Sequence, residues 1–266
     1  MRLSALPAWL QMWGLDYTGI PGWATRGAEF VSPPVVVIGH HTATSARARG
    51  DLPTLGILRD GRGEPNPLRG PLCQLGLGRS GHVYIVASGK ANHAGAGEWL
   101  GLPGGVDYNV RVSSRTVGIE AEHPGDGSPW PKQQLDTYDR LIACLLWGLE
   151  QEAEAYCGHR EWALPVGRKP DPKGIDLSGQ RARVGRLLAA GPGGGPTPPP
   201  ATKDDDMLKI LYTPGRPTML WHDGRMTSLA SNDHVEALKR RGVPVELPSA
   251  EDFSLLQEVS DRLKGA

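Results

Sequence analysis

The segment Gly191-Pro192-Gly193-Gly194-Gly195-Pro196-Thr197-Pro198-Pro199-Pro200 carries no side chain able to join a hydrophobic core, and Asp204-Asp205-Asp206 follows it as a run of like charge. A stretch of this kind reads as a tether, part flexible and part extended polyproline II. It therefore limits what can pack with what. The 266 residues divide into a unit over 1–190, a linker over 191–206 and a small module over 207–266. The first has ample length for a single core, whereas about 60 residues is near the lower limit for folding alone.

Charge narrows the partners. Lys and Arg total 29 against 29 Asp and Glu, so no bulk field draws the chain to nucleic acid or to an anionic membrane. Apolar runs such as Val35 to Ile38 are far short of the roughly 20 residues of a bilayer span. The start, Met1-Arg2-Leu3-Ser4-Ala5-Leu6-Pro7, lacks the continuous apolar stretch of a secretory signal, and the expectation is a product made in the cytoplasm that must be released to act elsewhere. Cys73, Cys144 and Cys157 show no CxxC spacing, which argues against both a disulfide framework and a Cys-rich zinc site.

In the first unit, Val35 to Ile38 after Pro33-Pro34, Val83 to Val86 and Val117 to Glu120 predict strands. A helix is predicted after Pro131, because Leu135, Tyr138, Ile142, Leu145 and Leu149 recur at steps of three and four. Cys144 falls within it as a small core residue, and a second helix is expected from Leu177 to Leu188. Strands alternating with amphipathic helices predict an α/β fold with a mixed central β-sheet flanked by helices. The small module predicts an α+β unit. Its strands are Leu208 to Tyr212, Thr218 to Trp221 and Met226 to Leu229, with a hairpin at His222-Asp223-Gly224. Helices are expected from Ser231 or Asn232 to Gly242 and again from Ser249.

Candidate chemistry is scattered. His40-His41 follow a buried strand, His159 follows Tyr156-Cys157-Gly158, and Asp171 stands between two prolines in Arg168-Lys169-Pro170-Asp171-Pro172. Two imidazoles and a carboxylate could hold a catalytic zinc, which needs three protein ligands and an open fourth position. Taken singly, each residue also has an ordinary explanation: a histidine pair after a strand can be plain surface or core, and Asp before Pro is common turn chemistry. Glu120 ends an apolar strand, where a carboxylate can be exposed, paired or catalytic.

Six segments taken together resemble the zinc-dependent N-acetylmuramoyl-L-alanine amidases, the superfamily that includes peptidoglycan recognition proteins, and most of all the amidase domains of actinobacteriophage endolysins. They are Pro21-Gly22-Trp23-Ala24-Thr25-Arg26-Gly27; Val37-Ile38-Gly39-His40-His41-Thr42-Ala43; Gly70 to Gly78; Asn92-His93-Ala94-Gly95; Val117 to Glu122; and Gly158-His159-Arg160-Glu161 with Arg168 to Pro172. The resemblance implies the amidase type 2 fold and a peptidoglycan hydrolase that cuts the amide between N-acetylmuramic acid and L-alanine by zinc-activated water. Position by position it implies His40, His159 and Asp171 as zinc ligands, with His41 the neighbouring choice. It implies Glu120 as general base, Lys169 over the developing oxyanion, and His93 on the border of the substrate groove without ligating metal.

One departure concerns the base. Some branches of the family place a tyrosine where Cys73 stands here, with Arg79-Ser80-Gly81 as the following turn, so the proton-accepting role falls to Glu120. With Asp171 as third ligand, Cys157 is not needed for metal. Two other readings share the fold: a recognition protein that binds peptidoglycan without cutting it, and a cytoplasmic muropeptide-recycling amidase. All the ligand positions are filled, against the first; the tether and second module suit an insoluble wall and argue against the second. The expected partner is bacterial peptidoglycan, with no nucleic acid and no membrane, engaged by a monomer released through a holin. The 207–266 module is expected to bind cell wall, with Trp221 and Tyr212 as its sugar-stacking or core aromatics.

Overall fold

The computed structural model describes residues 1–99 and 115–193, together with strands at 209–211, 219–222, 225–228 and 245–246. Elements in chain order are α1 (Leu6–Met12), β1 (Tyr17–Gly19), β2 (Val36–His41), α2 (Leu55–Asp60), β3 (Gly61–Arg62), β4 (Leu68–Arg69), β5 (Leu75–Leu77), β6 (Val83–Ile85), β7 (Thr116–Ala121), α3 (Lys132–Gly148), β8 (Tyr156–Gly158), α4 (His159–Trp162), α5 (Leu177–Ala190) and β9 to β12, the four strands of the C-terminal part. The six strands β1-β6-β5-β7-β2-β8 form one sheet in that order. Only the β5–β6 pair is antiparallel, so the mixed sheet flanked by helices is the observed fold.

The run Val36-Val37-Ile38 is apolar on both faces because β2 lies between two parallel neighbours, β7 and β8, in the buried interior of the sheet. One face carries Val37, Val117, Ile119, Leu75, Leu77 and Ile85, packed against α1, α3 and α5. On α3 the buried apolar set runs from Tyr138 to Trp147 and includes Cys144, while Leu135 and, just past the helix end, Leu149 lie at the margin. At roughly 1.5–3 kcal/mol per large apolar side chain, this layer is the main source of stability. The opposite face is thinner: Val36, Ile38, Ala94, Cys157 and Trp162 form one cluster, and Leu52, Leu58, Leu72, Cys73 and Val86 another. The site lies between them.

The strand expected at Val35 to Ile38 starts at Val36 and continues through His40 and His41. Register explains the extension: β2 pairs with β7 as far as His41 opposite Ala121, and the Thr42 amide still donates to the Ala121 carbonyl at 3.0 Å. The histidines therefore sit on the sheet and not after it. Gly39 is required there, since a Cβ would stand 2.6 Å from the Tyr138 hydroxyl and 2.7 Å from that of Tyr156. Buried Gln74 supplies a missing rung, accepting from the Gly118 amide at 2.7 Å and donating to the Gly89 carbonyl at 3.0 Å.

In the C-terminal part, β9 (Lys209–Leu211), β10 (Met219–His222), β11 (Arg225–Ser228) and β12 (Val245–Glu246) make a four-stranded sheet in the order β11-β10-β9-β12. His222 pairs with Arg225, the register of the expected hairpin. Residues 194–208, Tyr212, Asp223-Gly224 and the helices expected from Ser231 and Ser249 lie outside the described residues. Among those described, no helix is long and apolar enough to cross a membrane.

Candidate active site

The parallel register aligns His40 of β2 with Glu120 of β7 and with Gly76 of β5 beyond it. Residues matched across parallel strands point to the same face, so His40 and Glu120 emerge side by side. Next along the sheet, β8 pairs Gly158 with Gly39, and His159 follows at once as the first residue of α4. The loop after α4 returns Asp171 to the same point.

Three atoms converge there. His40 Nδ1 is 3.0 Å from His159 Nδ1 and 3.1 Å from Asp171 Oδ2, and His159 Nδ1 is 2.9 Å from the same oxygen. One proton can satisfy one edge of such a triangle, whereas a cation satisfies all three corners. Ligand atoms at about 2.0–2.1 Å from tetrahedral zinc stand about 3.3 Å apart, close to the spacing present. These residues could bind a metal. His41, by strand alternation, faces away: its Nδ1 accepts from the Lys173 amide at 3.0 Å, and its ring packs near His123 and Trp130. Cys157 is also outside the cluster, buried beside Ile38, its thiol pushed well up by burial.

Electrostatics leave these groups ready for a cation. Burial pushes His40 down to about 4 against the pull of Asp171, so the ring is neutral near pH 7. Asp171 would be raised by burial, but hydrogen bonding with His159 and His40 outweighs that and holds its carboxyl well below the usual range. Glu120 is pushed up to about 8, first by burial and then by the charge of Asp171, with Lys169 and Arg62 opposing. That combination of a raised carboxylate beside a metal-type cluster is typical of sites that move protons.

Further contacts hold these side chains in place. His159 Nε2 is 3.0 Å from the Ala94 carbonyl, which can only accept, so the proton is on Nε2 and the Nδ1 lone pair faces the cluster. The Tyr138 hydroxyl donates to the His40 carbonyl at 3.0 Å. Arg160 fastens the Asp171 loop: its amide donates to the Asp171 carbonyl at 2.6 Å, and its guanidinium to the carbonyls of Pro172 and Ile175. Glu122, two residues after Glu120, accepts from Thr42 and Thr54 and ties the β2 exit to the start of α2. Sequence reasoning missed the parts of Arg160, Tyr138 and His41, because their partners are main-chain groups with no signature.

His93 is buried, with both ring nitrogens engaged: Nδ1 lies 3.0 Å from His40 Nε2 and Nε2 lies 3.1 Å from Thr116 Oγ1. It also lines a groove of about 470 Å³ shared with Arg62, Leu68, Asn92, Arg168 and Lys169. Lys169 thus reaches the site from the wall of this groove. Three cations and no acid line it, which suits a substrate carrying carboxylates. Cys73 is buried close enough for the Glu120 charge to help burial raise its thiol, and offers no acid or base at neutral pH.

A family model described as N-acetylmuramoyl-L-alanine amidase matches residues 31–174. Similar solved structures include a selenomethionine derivative of AmpD, at 21% identity, covering 64% of this chain and 93% of that one with a TM-score of 0.47. The N-acetylmuramoyl-L-alanine amidase LysC from Clostridium intestinale is 17% identical, covering 64% and 97% with a TM-score of 0.46. Wild-type PGRP-LB of Drosophila is 19% identical, covering 62% and 92% with a TM-score of 0.43. No curated protein matches the chain in sequence.

Proposed function

This chain belongs to the N-acetylmuramoyl-L-alanine amidases, and on that premise we propose that it is a zinc-dependent peptidoglycan hydrolase of the phage endolysin type, cutting between N-acetylmuramic acid and L-alanine of the stem peptide. The observation that carries the reading is the triangle of His40 Nδ1, His159 Nδ1 and Asp171 Oδ2 beside Glu120 on the same sheet face. Two nitrogens and one oxygen are a donor set that would hold a catalytic zinc. When bound there, zinc supplies a Lewis acid for the scissile carbonyl and lowers the pKa of water.

The protein's own groups do the rest. Glu120 takes the proton of the attacking water and returns it to the leaving L-alanine nitrogen. Lys169 faces the oxyanion from the groove wall, a contribution of about 3 kcal/mol for a preorganised donor. Arg62 and Arg168 bind the acidic stem peptide. The module over 207–266, joined by the linker over 191–206, holds the enzyme to the insoluble wall by raising the local concentration of substrate, after release of the enzyme at lysis.

Digestion of purified cell wall followed by mass spectrometry tests the activity: free L-alanine amino termini on released stem peptides, with the glycan strands intact, are expected, and new reducing ends instead would overturn it. Chelation should abolish turnover and zinc restore it. Glu120→Ala should keep its zinc and lose turnover; if His40→Ala retains full zinc content, the ligand assignment is wrong.

A further inference from the structure

We infer that His93 is a positioning residue that sets the tautomer of His40 and through it the affinity of the site for its metal. The inference rests on the zinc reading above, and extends it to a residue that touches neither metal nor reacting atoms.

The hydrogens run along a buried line. His40 turns Nδ1 toward the cluster and Nε2 toward His93 Nδ1, at 3.0 Å, and His93 turns Nε2 toward Thr116, 3.1 Å from its hydroxyl. The Thr116 hydroxyl can accept there, and with it as acceptor Nε2 of His93 carries the hydrogen. Nδ1 of His93 is then a bare lone pair that must receive the hydrogen of His40 Nε2. With its one hydrogen on Nε2, neutral His40 presents Nδ1 as a lone pair to the cluster. The opposite relay would put a hydrogen on His40 Nδ1, aimed at the place where His159 Nδ1 and Asp171 Oδ2 converge.

His159 reaches the same state by a shorter route, through the carbonyl of Ala94. The neighbours His93 and Ala94 therefore orient one imidazole each, the first by its ring and the second by its backbone. Strand β7 makes the seat. Thr116, Gly118 and Glu120 share one face; Thr116 holds the far nitrogen, and at Gly118 a Cβ would stand 2.6 Å from the His93 ring. The ring packs this close to the strand because that position has no side chain.

Contacts of this kind around a ligating histidine are worth about 10–100-fold in metal affinity. His93→Ala should weaken zinc binding by that factor, measured by competition with a chromophoric chelator. His93→Asn, whose Oδ1 falls where Nδ1 stood, should recover most of it. Thermal melts of the metal-free proteins separate this effect from loss of fold. A second measurement needs no variant: long-range proton–nitrogen correlation spectra of zinc-loaded wild type should show His93 as the Nε2–H tautomer. The Nδ1–H tautomer, or equal zinc affinity in wild type and both variants, would overturn the inference while leaving the zinc reading intact. A wild-type protein that takes up no zinc would instead bring down the metal reading, and this inference with it.

Discussion

Glu120 makes the metal-free protein pay for pH in a direction that can be measured. Its folded-state pKa is raised from 4.5 to about 8, so the native state holds a proton that the unfolded chain releases. For a group raised in this sense, stability is fully present below the unfolded pKa and is lost as pH rises through the folded one. The buried histidines work oppositely: His40 at about 4 and the lowered His41, His93 and His123 favour the native state increasingly as pH climbs through their ordinary value of 6.5, a rise complete about one pH unit above it. The window from pH 6.5 to 8 isolates Glu120 as the difference between wild type and a variant without this carboxyl, because the histidine slope is common to both. Across it, at about 1.4 kcal/mol per pKa unit and with half the groups titrated at the upper end, the loss is about 1.5 kcal/mol. Glu120→Gln, which mimics the protonated carboxyl without titrating, should lack that loss. Denaturant unfolding of chelator-treated protein at pH 6.5 and 8 measures both. Saturating zinc should flatten the wild-type slope, because a nearby dication favours the carboxylate. Parallel profiles for wild type and Glu120→Gln would refute the placement of this carboxyl in a poorly solvated site.

Three further outcomes follow from the same geometry. Arg160→Ala frees the loop carrying Asp171, and should weaken zinc binding about tenfold with little change in the metal-free melt, as chelator competition would show. Gly39→Ala drives a methyl group against the hydroxyls of Tyr138 and Tyr156 and should cost about 1–3 kcal/mol by denaturant unfolding. Arg62→Glu reverses one charge on the groove wall and should raise KM for acidic stem peptides several-fold while leaving zinc content unchanged; an unaltered KM would remove Arg62 from substrate binding.

What the sequence alone determined is the class of structure and the cast of the site. Apolar runs at Val36 to Ile38 and Val117 to Ile119, and the stripe on α3, are set by water's exclusion of apolar surface, which acts on local pattern. The conjunction of segments around His40, His93, Glu120, His159 and Asp171 carried the family, and with it the candidate chemistry. Tertiary structure decided which of two adjacent histidines faces the metal-type cluster, because the strand runs on through both and a two-residue period sends them to opposite faces. It also decided the work of Arg160, His41 and Tyr138, whose partners are main-chain carbonyls and amides. Those groups are the same at every residue, so only the path of the chain tells which of them a side chain will meet.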